Sequence, residues 1–445
     1  MRSSTELPRL SNSGPLGVMR RFLANPLIFF EEPHKIDAPF VKFRLAHKSY
    51  YYVNRYEVLE ELLKKWKDFQ KGSSKLAREV LGTGLVFAEE ADWTKQRRIM
   101  APAFYQKAIE SYQEMMHKQL SKSLDQWQAE QENQGMVNMT DGFYKFAIRS
   151  LQDALFGTHN DEDELQTVLD GINSLFQHLI AGQSNPLLPP LWIPTGRNRK
   201  SKHHIKSIRE IILRTIRERE QASDGQTTLI DMMIHGREES SGTGLSDDNV
   251  IDQVKIFFVA GSETSSNTMT FACWLLAQYP AVYRRLQEEI DQELGQENLH
   301  LKDIGRLPYL RAVVNETLRM YPPNWINTRT TKGKADAGGV QFQSGTDFMF
   351  SPYQLHRSEA CCEQANKFLP ERWLQSDSIP RYFFPFSLGP RKCIGDQFAL
   401  AEIYIALSGL IQRCDWTLLE GYEGQEQPGA TLYLSPKLML HLQAR

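Results

Sequence analysis

The sequence predicts a mainly α protein with a small β portion, and three observations carry that reading. Apolar residues recur at helical spacing in YEVLEELLKKW from Tyr56, in the long stretch from Tyr105 to Glu132 and in IKSIREIILRTIRERE from Ile205. Clusters of aromatic and β-branched residues, FVKFRL from Phe40 and SYYYVN from Ser49, read as short strands. No repeat and no Gly-, Ser- or Pro-rich linker divides the chain. Residues 1–445 are therefore read as one large domain, although a chain of 445 residues would by length alone suggest two or three.

The best-marked helix is SDDNVIDQVKIFFVAGSETSSNTMTFACWLLAQYP. Ser246 is placed to cap it, Asp247 and Asp248 suit its first turn, and Pro280 stops it. Its middle is apolar nearly all round, which predicts burial, and Gly261 with Ser262 predicts a kink. Further on, GGVQFQSGTDFMFSPY reads as two short strands and residues 368–386 as irregular. A final helix is expected from Gln397 to Gln412, Glu420–Gly429 as a loop, and ATLYLSPKLMLHLQAR as a closing hairpin.

Composition narrows the function. Lys plus Arg number 52 against 54 acidic residues, so the net charge of -2 argues against a nucleic-acid binder. Five cysteines without regular spacing fit a reducing compartment better than a disulfide framework. No stretch approaches the ~18 apolar residues of a membrane span, and the N-terminus lacks the apolar centre of a signal peptide. A soluble cytoplasmic protein without a transmembrane anchor is expected, with PLLPPLW (Pro186–Trp192) open to surface association with a membrane.

The sharpest local signal is FPFSLGPRKCIGDQFALAE. Cys393 stands between Gly389 and Gly395 in a turn-rich loop just before a helix. That placement exposes the sulfur, lets backbone pass close to a flat cofactor and aims helix N-terminal amides at a thiolate. Arg391 and Lys392 add positive charge. A lone cysteine is more often a buried structural residue, and zinc is disfavoured because no partner Cys or His stands at ligand spacing. The whole pattern reverses those odds. Phe386, Gly389, Arg391, Cys393 and Gly395 resemble, at every defining position, the heme-binding loop F-x-x-G-x-R-x-C-x-G of cytochromes P-450, here of the soluble bacterial type. The resemblance implies heme b with Cys393 as the iron ligand, a thiolate that pushes electron density toward the iron.

Three further constellations follow the family's order. Glu316 and Arg319, one helical turn apart, and the later Arg372 resemble a buried charge triad that braces the heme loop; by themselves they would read as a solvated pair. AGSETSS resembles the oxygen-binding groove of the long helix. The resemblance implies that Thr264 hydrogen-bonds bound O2 and Glu263 relays protons, whereas the plain reading returns the Thr264 hydroxyl to its own backbone. Trp93 and Arg97 in DWTKQRR resemble a heme-propionate pair, Arg329 matches a further propionate arginine, and Arg391 is counted with them; His356 is given no role. The likeness runs from about Ala38 to Ala444 and implies a single-domain triangular prism, with residues 1–35 the least covered.

The function implied is a monooxygenase that activates O2 with two externally supplied electrons and hydroxylates, or O-dealkylates, a small organic substrate. No flavin or ferredoxin segment is seen, so separate ferredoxin and ferredoxin reductase, or flavodoxin-type, donors are expected to dock on a basic face at Arg391 and Lys392. A monomer is expected. Candidate pocket stretches carried over by position are residues 73–85, Phe257 and Phe258, Trp325–Asn327 and Leu432, with Asn324 and Asn327 as polar contacts. Two rivals are a peroxide-driven peroxygenase and a non-catalytic heme-thiolate sensor. The Glu263–Thr264 pair argues against the first, and the lack of an effector segment against the second.

Overall fold

The long helix organises the architecture. In the computed structural model it runs from Asp247 to Gln278, about 48 Å at the usual rise, and Ser246 caps it by accepting from the Asn249 amide at 3.2 Å. From Ser265 to Leu276 every residue is buried, as its apolar circumference requires. Against it pack the helices Met139–Phe156, Asp396–Arg413 and Pro308–Met320. The model describes residues 2–445 apart from 4–5, 11–16, 46–47, 73–74, 158–165, 169, 173, 176–177, 179–188, 190, 222–227 and 239–240. Most of Pro186–Trp192 therefore lies outside the described residues. Among the described residues no helix is long and apolar enough to cross a membrane.

The expected helices form at Tyr56–Lys64, Gln106–Gln134, Gly196–Gln221 and Asp396–Arg413. Two more lie in the N-terminal segment, Gly17–Ala24 and Pro26–His34, the second capped by Asn25. The main sheet has five strands in the order Phe40–Leu45, Lys48–Val53, Asp347–Phe350, Asn327–Thr331, Phe69–Lys71. Distant parts of the chain thus meet beside one another, and Lys71 pairs across the ladder with Arg329.

Two expectations about the C-terminus are corrected. Leu432–Ser435 and Met439–Ala444 are strands but not one hairpin. The first pairs with Gln425–Pro428, inside the stretch read as a loop, and the second pairs with Cys414–Leu418. The short-range alternation showed the strands, but only long-range register chose their partners. The helix assignment is continuous through Gly261, where a kink was expected. A side chain at Gly261 would meet Leu151 Cδ2 at 2.9 Å, so glycine here lets the helix Met139–Phe156 approach closely.

Candidate active site

A cavity of about 330 Å³ opens beneath the middle of the long helix. Ala260, Gly261 and Thr264 face it from above, and Cys393 with Phe386, Ile394 and Gly395 from below. Much of the remaining lining is apolar, including Leu85, Val86, Phe104, Leu151, Ile256, Phe257 and Pro323. Leu85 is held there because its amide donates to Gln253 Oε1 on the long helix at 2.9 Å, and Gln253 in turn donates to Gln96 at 2.8 Å.

The cysteine loop is fixed by its backbone. The Cys393 amide donates to the Phe386 carbonyl at 2.9 Å, and that of Lys392 to Gly389 at 3.1 Å. Gly389 has φ +70°, and a Cβ there would sit 2.7 Å from the Leu63 carbonyl, so the turn requires glycine. The sulfur lies deep in the molecule yet open to the cavity. Burial pushes the thiol pKa up, while the Gly395 amide and the charges of Lys71 and Arg97 pull it down.

Five basic residues line the cavity; Lys392 pairs with Asp396, while Lys71, Arg97, Arg329 and Arg391 lie close enough to act on one another. No Asp or Glu lines it, and Glu89, the carboxylate acting on Arg391, is already paired with Arg78 at 2.6 Å. Burial, then Arg329 and Arg391, drive Lys71 down to about 7. Burial brings Arg329 to about 10, and does the same for Arg391. Arg391 donates to the Ala88 carbonyl at 2.8 Å and lies over the Trp93 ring, 4.7 Å from its centroid. Its other terminal nitrogen, Nη1, is buried without a partner. Trp93 and Arg97 are both present, Arg97 donating to the Lys392 carbonyl at 2.7 Å. A buried cluster of like charge with an orphaned guanidinium nitrogen is costly alone and is completed by two carboxylates. The two propionates of heme b fit that need, the apolar walls fit its ring, and the open sulfur fits its iron.

The triad is present and more extensive than the sequence motif. Glu316 Oε1 accepts from Arg319 Nη2 (2.9 Å), Arg372 Nε (3.0 Å) and the Leu369 amide (3.0 Å); Oε2 accepts from Arg319 Nε (2.8 Å) and Trp373 Nε1 (2.9 Å). Arg319 also donates to the carbonyls of His356, Ala365 and Lys367 at 2.8, 2.7 and 3.2 Å. His356, given no role by its sequence context, passes the brace on: its Nε2 accepts from the Phe384 amide at 3.1 Å, next to the cysteine loop. Burial, with Arg319 adding to it, depresses His356 to about 3 and keeps the ring neutral.

The oxygen-groove residues stand differently. Thr264 faces the cavity but donates to the Ala260 carbonyl at 2.7 Å, the plain reading of its sequence. Glu263 does not line the cavity. It is turned toward Thr431, with Oε2 buried and unpartnered, and burial raises its pKa. Arg391 is turned inward, so of the two residues expected on a basic docking face only Lys392 is exposed, and it pairs with Asp396 at 2.5 Å. Of the carried-over pocket residues, Leu85, Phe257, Asn324 and Asn327 line the cavity. Phe258 packs on Phe156 instead, Trp325 donates to the Gly429 carbonyl, and Leu432 is buried away from it. Sequence reading missed Lys71 and Trp66: neither sits in a motif, and each reaches the site only through sheet pairing or packing; Ser265, the last position of the groove motif AGSETSS, lines the cavity beside Thr264.

Comparison with known proteins agrees with this geometry. Pentalenene oxygenase of Streptomyces avermitilis is 30% identical over 414 residues, covering 91% of this chain and 90% of the relative. Cyclooctat-9-en-7-ol 5-monooxygenase of Streptomyces melanosporofaciens is 31% identical over 403 residues, with 88% and 84% covered. A crystal structure of a cytochrome P450 (CYP102L1) superposes with TM-score 0.85 at 25% identity over 100% of both chains. The family model for cytochrome P450 matches residues 8–442, reaching well into the N-terminal segment expected to be poorly covered, and the chain is a member of the cytochrome P450 family of heme monooxygenases.

Proposed function

We propose that this monooxygenase takes two electrons per turnover from separate electron-transfer proteins and hydroxylates, or O-dealkylates, an apolar organic molecule in the cavity facing Cys393. The observation that carries the reading is the open Cys393 sulfur at the floor of an apolar cavity flanked by Lys71, Arg97, Arg329 and Arg391, with no Asp or Glu among its lining residues. In this reading Cys393 ligates the iron, while Trp93, Arg97, Arg329, Arg391 and Lys71 hold the propionates. Phe386, Gly389, Gly395 and Gly261 shape the loop and groove. Bound heme would supply O2 activation and transfer of one oxygen atom. The protein excludes water through its apolar wall and holds the sulfur in place through the brace from Glu316 to Phe384. Thr264 serves as donor once its hydroxyl leaves Ala260, and Glu263 as proton source once it turns from Thr431. The chain acts as one domain and as a cytoplasmic monomer; the extent of the family match supports the single domain, and among the described residues no helix is long and apolar enough to cross a membrane.

The substrate class follows from the walls and from two relatives, whose names specify an unsaturated hydrocarbon and an unsaturated alcohol. Asn324 and Asn327, hydrogen-bonded to each other at 3.1 Å, are the polar pair on the lining suited to a hydroxyl group of such a molecule. The test is the absorption spectrum of the reduced, carbon-monoxide-bound protein beside Cys393→Ala. A strongly red-shifted Soret band, lost in the variant, is expected; a histidine-type band in the wild type would remove the assignment of Cys393.

A further inference from the structure

Cys361 and Cys362 are adjacent nucleophiles that no step above uses. They lie just under the surface, 1% and 9% exposed, in a stretch whose neighbours Glu359, Ala360, Glu363 and Gln364 are exposed. With Ala365 they form a small cluster of their own, apart from the main core. Cys361 Sγ donates to the Tyr382 carbonyl at 3.2 Å and is also within hydrogen-bond reach of the Cys362 sulfur.

The two thiols are unequal. The hydrogen bond from Cys361, with the charges of Arg319 and Arg372, brings Cys362 below the usual thiol range against the opposing effects of burial and Glu316. The bond to Cys362 and burial raise Cys361. Burial also raises Cys273 and Cys414, which have no such neighbour sulfur to share a proton with. One sulfur of the pair is thus poised as a thiolate, and the other stands beside it as the partner that keeps its proton.

The pair also sits where the brace of the cysteine loop is anchored. Arg372 donates to the carbonyls of Glu363 and Gln364 at 2.9 and 3.3 Å, and Arg319 to those of Ala365 and Lys367 at 2.7 and 3.2 Å. On the other side, the Arg381 amide donates to the Cys361 carbonyl at 2.9 Å, a short distance along the chain from the Phe384 amide that bonds His356. Adjacent α-carbons stand ~3.8 Å apart across a trans peptide, closer than the ~4.4–6.8 Å usual for a disulfide, so bridging the pair requires this turn to move.

We infer that Cys361 and Cys362 form a peroxide-responsive dithiol site, and that its closure to a vicinal disulfide loosens the brace. The Cys362 thiolate attacks hydrogen peroxide, the O–O bond breaks, and Cys362 becomes a sulfenic acid while hydroxide leaves and takes up a proton. Cys361 then gives up its proton, its sulfur displaces the sulfenic oxygen, and an S–S bond forms as water leaves. The two thiols lose two electrons and one peroxide becomes two waters; a thiol reductant reverses the bridge. A bridge held in unfavourable geometry is readily reduced, which suits a reversible response in a reducing compartment. The site lies beyond the monooxygenase reading, because added peroxide tests it without turnover.

The experiment treats the full, heme-loaded chain with hydrogen peroxide at neutral pH, beside Cys361→Ser and Cys362→Ser. Trypsin releases residues 358–367 as one peptide carrying both cysteines. From the oxidised wild type this peptide should resist alkylation and weigh two hydrogens less, and reduction should restore both thiols. Dimedone should label Cys362 in Cys361→Ser and leave Cys361 unlabelled in Cys362→Ser. Heme transfer from the bridged protein to apomyoglobin should be at least about threefold faster, the equivalent of one weakened hydrogen bond, and should return to its starting rate on reduction. Because either serine could disturb the turn, the oxidised and reduced wild type supply the independent arm. The inference is overturned if both thiols stay free after peroxide, if Cys273 or Cys414 is oxidised as fast, or if dimedone marks Cys361 instead. It is overturned equally if the bridged protein holds heme as firmly as the reduced one, or if its loss of heme is not reversed by reduction.

Discussion

The two sides of the cavity are built on opposite plans. Below Cys393, from Glu316 through Arg319 and His356 to Phe384, nearly every polar group has a hydrogen-bond partner inside the protein. Above it, on the long helix, Thr264 is bonded to its own backbone and Glu263 is turned away. The lesson is that the sulfur's support is largely made within the protein, whereas the groups proposed to handle protons would have to rearrange to act. A satisfied buried network is rigid because each lost bond leaves an unpaired group. A hydroxyl bonded to its own helix can change partner by rotating about χ1.

The strongest test of that contrast is thermal unfolding of Glu316→Ala beside Glu263→Gln. Removing Glu316 leaves Arg319 and Arg372 buried without their carboxylate, and a loss of about 3–5 kcal/mol is expected. Glu263→Gln removes an acid that burial disfavours and should be near neutral or slightly stabilising. Equal losses would erase the distinction.

The cation cluster supplies the next effect, because it stands on neither side. Lys71→Met should weaken heme retention at least about tenfold, since it removes one charge-assisted partner worth roughly 1.5–3 kcal/mol. The same change should leave the heme-free protein as stable as before, or more stable, by relieving repulsion from Arg329 and Arg391. Heme titration and unfolding of the heme-free protein read the two arms separately, and destabilisation of the latter would count against the cluster as a ligand site.

A pH series sharpens the lower side. His356 titrates near 3 when folded against an ordinary 6.5, so the unfolded chain binds the extra proton between those values. Its contribution is complete above about pH 6.5 and is lost as pH falls toward 3, with a slope of up to about 1.4 kcal/mol per unit. His356→Gln should flatten that part of the stability curve; an unchanged slope would mean the ring is not held neutral. The smallest change in stability belongs to Thr264→Ala, within about 0.5 kcal/mol, because its hydroxyl bonds only its own helix. Its effect should appear instead as peroxide released in place of product.

How much was readable varied with the range of the interaction. The caps, the helix periodicity and the spacing around Cys393 are local, and so were visible: Ser246 caps where expected, and Glu316 and Arg319 share a face one turn apart. The strand partners of Leu432–Ser435 and Met439–Ala444, the approach of Leu151 to Gly261 and the turning of Arg391 inward over Trp93 depend on segments far apart in the chain. Nothing near those residues records what will pack against them.

By itself the sequence determined the helical class, the loop that presents Cys393, and the residue types of the brace and groove, because periodicity and turn chemistry act over a few residues. Only the tertiary structure decided that Lys71 and Arg329 meet across a sheet, and that Glu263 faces Thr431 rather than the cavity. Burial and electrostatic environment belong to the assembled interior, and there the same carboxyl becomes a charge or a proton donor according to what surrounds it.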